Sequence, residues 1–155
     1  MGKVINGLTH RRGEARDAAE ILALTRAAYT HWVNVLGREP LPMIADYDAA
    51  LTKHRFDLLC SGGTLRALIE TELRGETFWI ENIAVDTALH GEGIGRSLLD
   101  LAKSIAIEQG CNHLRLCTNA KMARNIVIYK KYGFQIDREE VVSHGTVIYM
   151  SKPIG

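Results

Sequence analysis

The sequence predicts a mixed α/β (α+β) fold built on a mostly antiparallel sheet. Two observations lead to it. Between residues 56 and 86, three apolar-rich stretches are separated only by the tight-turn signals Ser61-Gly62-Gly63 and Arg74-Gly75-Glu76, the pattern of antiparallel neighbours. Between residues 77 and 118, a strand pattern, a helix pattern and a second strand pattern follow one another, the pattern of a parallel crossover. The length of 155 residues suits one domain spanning 1–155.

Each element has a local cause. VINGLTH at 4–10 reads as a first strand. From Glu14 to Leu36 the residues Ile21, Leu24, Ala28, Trp32 and Val35 recur three or four apart, which makes a helix, and Gly37 is its stop. The segment 37–56 starts irregular because of Pro40 and Pro42, then forms a short helix near Asp46 to Lys53. FDLLC (56–60), TLRALIETEL (64–73) and TFWIENIAVD (77–86) are strands. Leu98, Leu101, Ala102 and Ile105 form the stripe of a helix over 96–109, closed by Gly110. HLRLCT (113–118) alternates as a strand. Met122 to Tyr132 forms a helix closed by Gly133, and FQIDREEVV (134–142) and TVIYMS (146–151) form a last hairpin around His144-Gly145. No repeat, low-complexity tract or linker interrupts this order.

Composition removes several function classes. With 19 basic and 18 acidic residues the net charge is +1, so the chain lacks the basic field of a nucleic-acid binder. No apolar run approaches the roughly 18–20 residues that cross a bilayer. The first residues, MGKVINGLTHRRGEARD, lack the apolar stretch of a secretion signal. Cys60, Cys111 and Cys117 fit neither a disulfide framework nor a zinc knuckle, and read as buried structural thiols in a reducing, cytoplasmic setting. His31, His54, His113 and His144 lack metal-ligand spacing, so no metal is expected.

VDTALHGEGIGRSLLD (85–100) is the densest chemical signal. It leads from a strand into a helix through Gly91, Gly93 and Gly95. The first turn of a helix has unpartnered N–H groups at a partly positive dipole end, and glycines let a ligand come close to them. Such a loop suits a phosphate or diphosphate. It is not a dinucleotide fingerprint, whose third glycine falls one place later. Nor is it a nucleoside-triphosphate loop, because Gly95 precedes Arg96-Ser97 rather than Lys-Ser or Lys-Thr. From the loop alone, a glycine-rich turn without a ligand explains the pattern equally well.

Two motifs together resemble the GNAT N-acetyltransferases, which use acetyl-coenzyme A. The central motif of that superfamily is Gln or Arg, two residues, Gly, any residue, then Gly or Ala. It follows a strand ending apolar-Ala-Val and opens a long helix, as in ENIAVDTALHGEGIGRSLLDLA. The second mark is a helix ending Tyr-x-x-x-Gly-Phe, matched by NIVIYKKYGF (125–134). The resemblance covers about residues 77–151 and implies a sheet of six or seven strands flanked by about four helices. It implies that the strand splays from its neighbour, so that the backbone around Ile83, Ala84 and Val85 pairs with the pantetheine arm. The loop His90, Gly91, Glu92, Gly93, Ile94, Gly95, Arg96 and the following Ser97 would hold the diphosphate, and Tyr129 would assist departure of the coenzyme thiolate. His90 stands where Gln or Arg is usual, and Glu92 is tolerable there only if it points to solvent. Met122 stands where Asn is usual and Asn125 where Ala is usual, which leaves Asn119 or Asn125 to supply the missing polar contact. Pairing through sheet edges, common in the superfamily, makes a homodimer an expectation too.

The chemistry needs a base. A lysine-like amine has a pKa of about 10.4, so neutralising it at pH 7 costs roughly 4–5 kcal/mol. Glu81 is the candidate base, because period-2 alternation puts it on one strand face with Ile83. Pairing of Glu81 with a neighbouring Arg is the simpler reading, and Glu70 and Glu72 are weaker alternatives. Trp32, Trp79 and Tyr47 read as packing residues, with Trp79 a second choice for an acceptor pocket. Arg11-Arg12 and Lys130-Lys131 read as solvated charge. The segment Arg38 to Tyr47 mixes charged and apolar groups, which favours a small-molecule amine acceptor over a protein N-terminus or lysine. A non-catalytic acyl-coenzyme A sensor is the further alternative.

Overall fold

Asn6 and Gly7 turn the chain back almost at once. In the computed structural model, which describes residues 2–155, both have positive φ, 49° and 78°. A two-residue type I′ hairpin turn demands that conformation at both positions, and Asn-Gly is its favoured pair. The stretch 4–10 is therefore two antiparallel strands, β1 (Val4–Ile5) and β2 (Leu8–Arg12), rather than one.

Six more strands follow: β3 (Arg55–Ser61), β4 (Thr64–Arg74), β5 (Thr77–Val85), β6 (His113–Asn119), β7 (Gln135–Val142) and β8 (Gly145–Pro153). They form one eight-stranded sheet in the order β1-β2-β3-β4-β5-β6-β8-β7, larger than the expected six or seven by the first hairpin. Only β5 and β6 run parallel, across the predicted crossover. The helices are α1 (Ala18–Leu36), α2 (Tyr47–Lys53), α3 (Ile94–Glu108) and α4 (Ala123–Tyr132). None is long and apolar enough to cross a membrane.

Helix boundaries follow from capping. Gly37 ends α1 in the left-handed conformation at φ 74°, its N–H donating to Val33 O at 2.8 Å. Asp46 caps α2, its carboxylate accepting from Ala49 N. Arg11 makes a two-pronged contact with Asp17, at 2.8 and 2.7 Å, and so ties β2 to the start of α1. Arg11 is thus a structural anchor and not solvated surface charge.

Each face of the sheet buries its own core. On one face, Leu98, Leu99 and Ala102 of α3 pack on Ile69, Phe78, Ile80 and Leu114. On the other, Ile21 and Ala28 of α1 and Tyr47 of α2 pack on Phe56, Leu58, Leu68 and Ala84. Each fully buried leucine contributes about 1.5–3 kcal/mol by leaving water. The apolar stripe of α1 runs past the sheet at its C-terminal end, where Val35 is exposed. Cys60 and Cys111 are buried as expected, whereas Cys117 is exposed on β6.

Candidate active site

Two irregularities of β5 shape the site. The first is a bulge. Asn82 opposes Glu70 and Ile80 opposes Thr71, so Glu81 is an extra residue in the ladder. A bulge bends its strand and increases its twist. The second is a fork. β5 pairs with β6 only through Thr77, Phe78 and Trp79, so the edge of β5 beyond Trp79 has no strand on that side. A buried polar network holds this free half of β5 against α1. The Tyr29 hydroxyl donates to Asn82 Oδ1 at 2.8 Å and lies 3.2 Å from Ile83 O. The Asn82 amide donates to Thr25 Oγ1 and the Tyr47 hydroxyl, each at 3.3 Å. Asn82 is only 3% exposed, so these partners replace water that it cannot reach.

Where β5 ends, Asp86 fixes the direction of the loop. Its carboxylate accepts from Ala88 N and from Arg66, both at 2.9 Å. The bond from Ala88 N, and then Arg66, holds the Asp86 pKa below the usual carboxylate range. The chain next passes Gly91 and Gly93 at φ 85° and 79° and starts α3 directly. Gly93 is the N-cap, and among the described residues no side chain caps the helix. The first N–H groups of α3 therefore remain available to an anion.

Fork and loop open on a cavity of about 610 Å3. β5 gives Ile83 and Val85 to its wall, and the loop and first turn of α3 give His90, Gly91, Gly93, Ile94 and Gly95. Asn125 and Tyr129 face it from α4. Tyr129 packs edge-on against Phe134, with centroids 5.7 Å apart. Among the described residues its hydroxyl has no hydrogen-bond partner, and burial pushes its pKa up to about 12. The other expected contacts lie outside the cavity lining. Ala84 is buried on the α1 face, as strand alternation requires. Glu92 is exposed, which meets the condition set by its charge. The Arg96 guanidinium lies 5.8 Å from the Tyr132 ring centroid. Asn119 accepts from Lys121 N at 2.9 Å and shapes the turn into α4. Ser97 hydrogen-bonds within the loop and to the first hairpin.

Several lining residues escape the sequence reading. Trp32, expected to pack, forms wall instead, with Tyr29 and His31 from the same helix. The end of the α1 stripe meets the fork where it would otherwise meet a strand, and no local pattern announces that. Arg124 of α4 and His90 stand near His31, whose pKa is lowered by burial first and then by these two groups. Arg124 gives the cavity a fixed positive charge, and the His31 and His90 rings stand beside it.

Glu81 stands elsewhere than expected. The bulge breaks the alternation, so Ile80, Ile83 and Val85 face the α3 core while Asn82 joins the α1 network. Glu81 accepts from Arg74 at 2.9 Å, and Arg74 also pairs with Glu72 at 2.9 Å. His54 links the group, with Nδ1 2.7 Å from Glu70 and Nε2 3.2 Å from Glu72. Arg74 lies over Trp79 at 4.6 Å, which places that tryptophan beside the cluster and not in the cavity wall. Burial, and then Glu72, raise the Glu81 pKa, while Arg74 lowers that of Glu72. His54, Glu72 and Glu81 have metal-ligand chemistry within 4.8 Å of one another, but the guanidinium of Arg74 already serves as a counter-ion to both carboxylates.

The sequence model described as "Acetyltransferase (GNAT) family" matches residues 20–134. The chain belongs to that family. A curated relative, thialysine N-epsilon-acetyltransferase of Bos taurus, is 31% identical over 62 residues, 40% of this chain and 36% of the relative. The matched stretch thus spans about a third of that protein. Among solved structures, the ribosomal-protein-S18-alanine N-acetyltransferase of Escherichia coli is similar with a TM-score of 0.77 and 21% identity, covering 96% of this chain and 94% of its own. The PaiA N-acetyltransferase of Thermoplasma acidophilum, in complex with coenzyme A, has a TM-score of 0.79 at 15% identity, covering 94% and 98%. These likenesses establish the GNAT fold for this chain.

Proposed function

We propose that the chain transfers the acetyl group of acetyl-coenzyme A to a primary amine of a small molecule, by direct attack within a ternary complex. One observation carries this reading: the β5–β6 fork opens onto an uncapped helix end, with Tyr129 on the wall between. The fork offers the main chain of Ile83 and Val85 to an extended amide-bearing arm, their N–H groups without a strand partner on that side and their carbonyls met by the Tyr29 hydroxyl at 3.2 Å and His90 Nε2 at 3.3 Å. The amides of Ile94, Gly95 and Arg96 suit a diphosphate, and at Gly91, Gly93 and Gly95 a methyl group would meet no atom within 4 Å. When bound, the thioester supplies an activated acetyl carbon. Tyr129 donates a hydrogen bond to the departing sulfur.

The amine must lose a proton before or during attack. Glu81 lies two residues past the last β5–β6 pair and belongs to a cluster with Glu70 and Glu72. Glu70 and Glu72 are partnered by His54, and Glu72 and Glu81 by Arg74, so the cluster can hold the acceptor's amine by hydrogen bonds, and a raised proton affinity makes Glu81 a stronger base than an ordinary carboxylate. The segment before α2 is pinned to α1, with Arg26 donating to Met43 O at 2.7 Å and pairing with Glu39. The Tyr47 hydroxyl donates to Pro42 O at 2.6 Å. A fixed wall of this kind supports a compact acceptor.

Glu81→Gln is expected to lower kcat/KM by roughly 10²–10³-fold. The sign of the pH effect follows from the raised pKa. The base works ionised, so activity falls as pH drops through a value above the usual carboxylate figure of about 4.3. The Gln variant lacks that limb, and a limb shared by both proteins belongs to the acceptor amine. A variant with the original rate and profile removes Glu81 from the mechanism. The overall reading is tested by thiol release from acetyl-coenzyme A with a panel of amines, polyamines, amino acids, aminoglycosides and peptides. Release with small amines supports it. Release with peptides alone moves the acceptor to a protein, and no release with coenzyme binding intact points to a sensor.

A further inference from the structure

The tip of the first hairpin reaches across the sequence to the glycine loop. Asn6 Nδ2 donates to Ser97 Oγ at 2.7 Å and lies 3.4 Å from Gly93 O. The Ser97 hydroxyl donates onward to the same carbonyl at 3.2 Å, and Ser97 N donates to it at 3.1 Å. Gly93 O thus collects donors from two residues. One of them is held by the other, and the chain outside the loop supplies the anchor.

That grip has a directional consequence. In a trans peptide the C=O and the following N–H point in opposite directions. Holding Gly93 O toward Ser97 and Asn6 turns the Ile94 N–H the other way, and Gly93, Ile94 and Gly95 all line the cavity. Gly93 has no Cβ and sits at φ 79°, so apart from the first bond of α3, from Ser97 N, the loop's own backbone offers little resistance to a flip of this peptide. The hairpin is a firm base for such a clamp, because Leu8 is buried in the α3-side core and Ile5 packs against it.

We propose that Asn6 is a positioning residue for the coenzyme-binding loop, and that Ser97 passes its hydrogen bond to the Gly93–Ile94 peptide in place of contacting the diphosphate itself. The inference rests on the reading of this loop as the diphosphate site. Asn6 fits the task twice over. Its amide supplies the donor, and asparagine tolerates the left-handed backbone that the hairpin turn needs.

The test is calorimetric titration of the full-length wild type and Asn6→Gly with coenzyme A, with melting temperatures of both proteins without ligand. Glycine keeps the turn and removes only the amide. The expected result is a dissociation constant and an acetyl-coenzyme A KM roughly three- to tenfold higher, from loss of one hydrogen bond. The kcat at saturation and the ligand-free melting temperature stay close to wild type. Asn6→Asp, which also tolerates the turn, places an acceptor against Gly93 O and weakens binding at least as much. Wild-type and Asn6→Gly proteins with equal affinity for coenzyme A overturn the inference, as does a fall in melting temperature with affinity unchanged. No saturation by the wild type overturns the reading of the site itself, a separate outcome.

Discussion

Tyr129→Phe is expected to lower kcat by roughly 10²-fold while the dissociation constant for coenzyme A stays within about twofold, the cost of one donor aimed at developing charge. The substitution removes a hydroxyl and keeps the ring that packs on Phe134, so folding is spared. A pKa pushed up to about 12 also defines what the hydroxyl does. An ordinary thiol has a pKa of about 8.5, so full proton transfer from Tyr129 to the leaving thiolate is uphill by about 5 kcal/mol. Donating a hydrogen bond to the sulfur has no such cost. The rate of the wild type should therefore show no basic limb from tyrosine ionisation below about pH 10, its unperturbed value. Stopped-flow thiol release across pH measures both quantities, and an unchanged kcat in the phenylalanine variant assigns Tyr129 to packing alone.

Gly95→Val is expected to weaken coenzyme A binding by about 10²-fold or more, about 2.7 kcal/mol. Position 95 makes a cleaner test than its neighbours. Gly91 and Gly93 have φ of 85° and 79°, where a branched side chain adds backbone strain of about 1–3 kcal/mol whatever the ligand does. Gly95 lies in the first turn of α3 without a positive φ, and a Cβ there meets no atom within 4 Å. Valine is also a better helix residue than glycine by a few tenths of a kcal/mol. The ligand-free protein should thus melt at or slightly above the wild-type temperature while the cradle is filled. Full coenzyme affinity in this variant removes the first turn of α3 from the binding site.

What local sequence could show depended on how far each cause reaches. Hairpins, the stripe of α3 and the two flanking motifs are written in neighbouring residues, and they place the loop and Tyr129 in the right elements. The Asn6-Gly7 pair is a local hairpin signal too, and reading 4–10 as one strand overlooks it. The bulge at Glu81 has no such mark. It depends on the register of β5 against β4 and on Asn82 reaching Thr25, Tyr29 and Tyr47 on two helices. The assembly of His54, Glu70, Glu72, Arg74 and Glu81 likewise draws on the end of α2 and on two strands. Trp32 belongs to a regular apolar stripe, and only the splay of β5 from β6 turns its end into cavity wall.

The amides at the start of α3 are held to grip the diphosphate, and comparing coenzyme A with pantetheine by calorimetry addresses that directly. Pantetheine keeps the arm that the fork would receive and lacks the diphosphate and nucleotide. Saturable binding of coenzyme A, with pantetheine at least about 10²-fold weaker, is the predicted result. Equal affinities, or a flat trace with coenzyme A at millimolar concentration and folded protein, would contradict it.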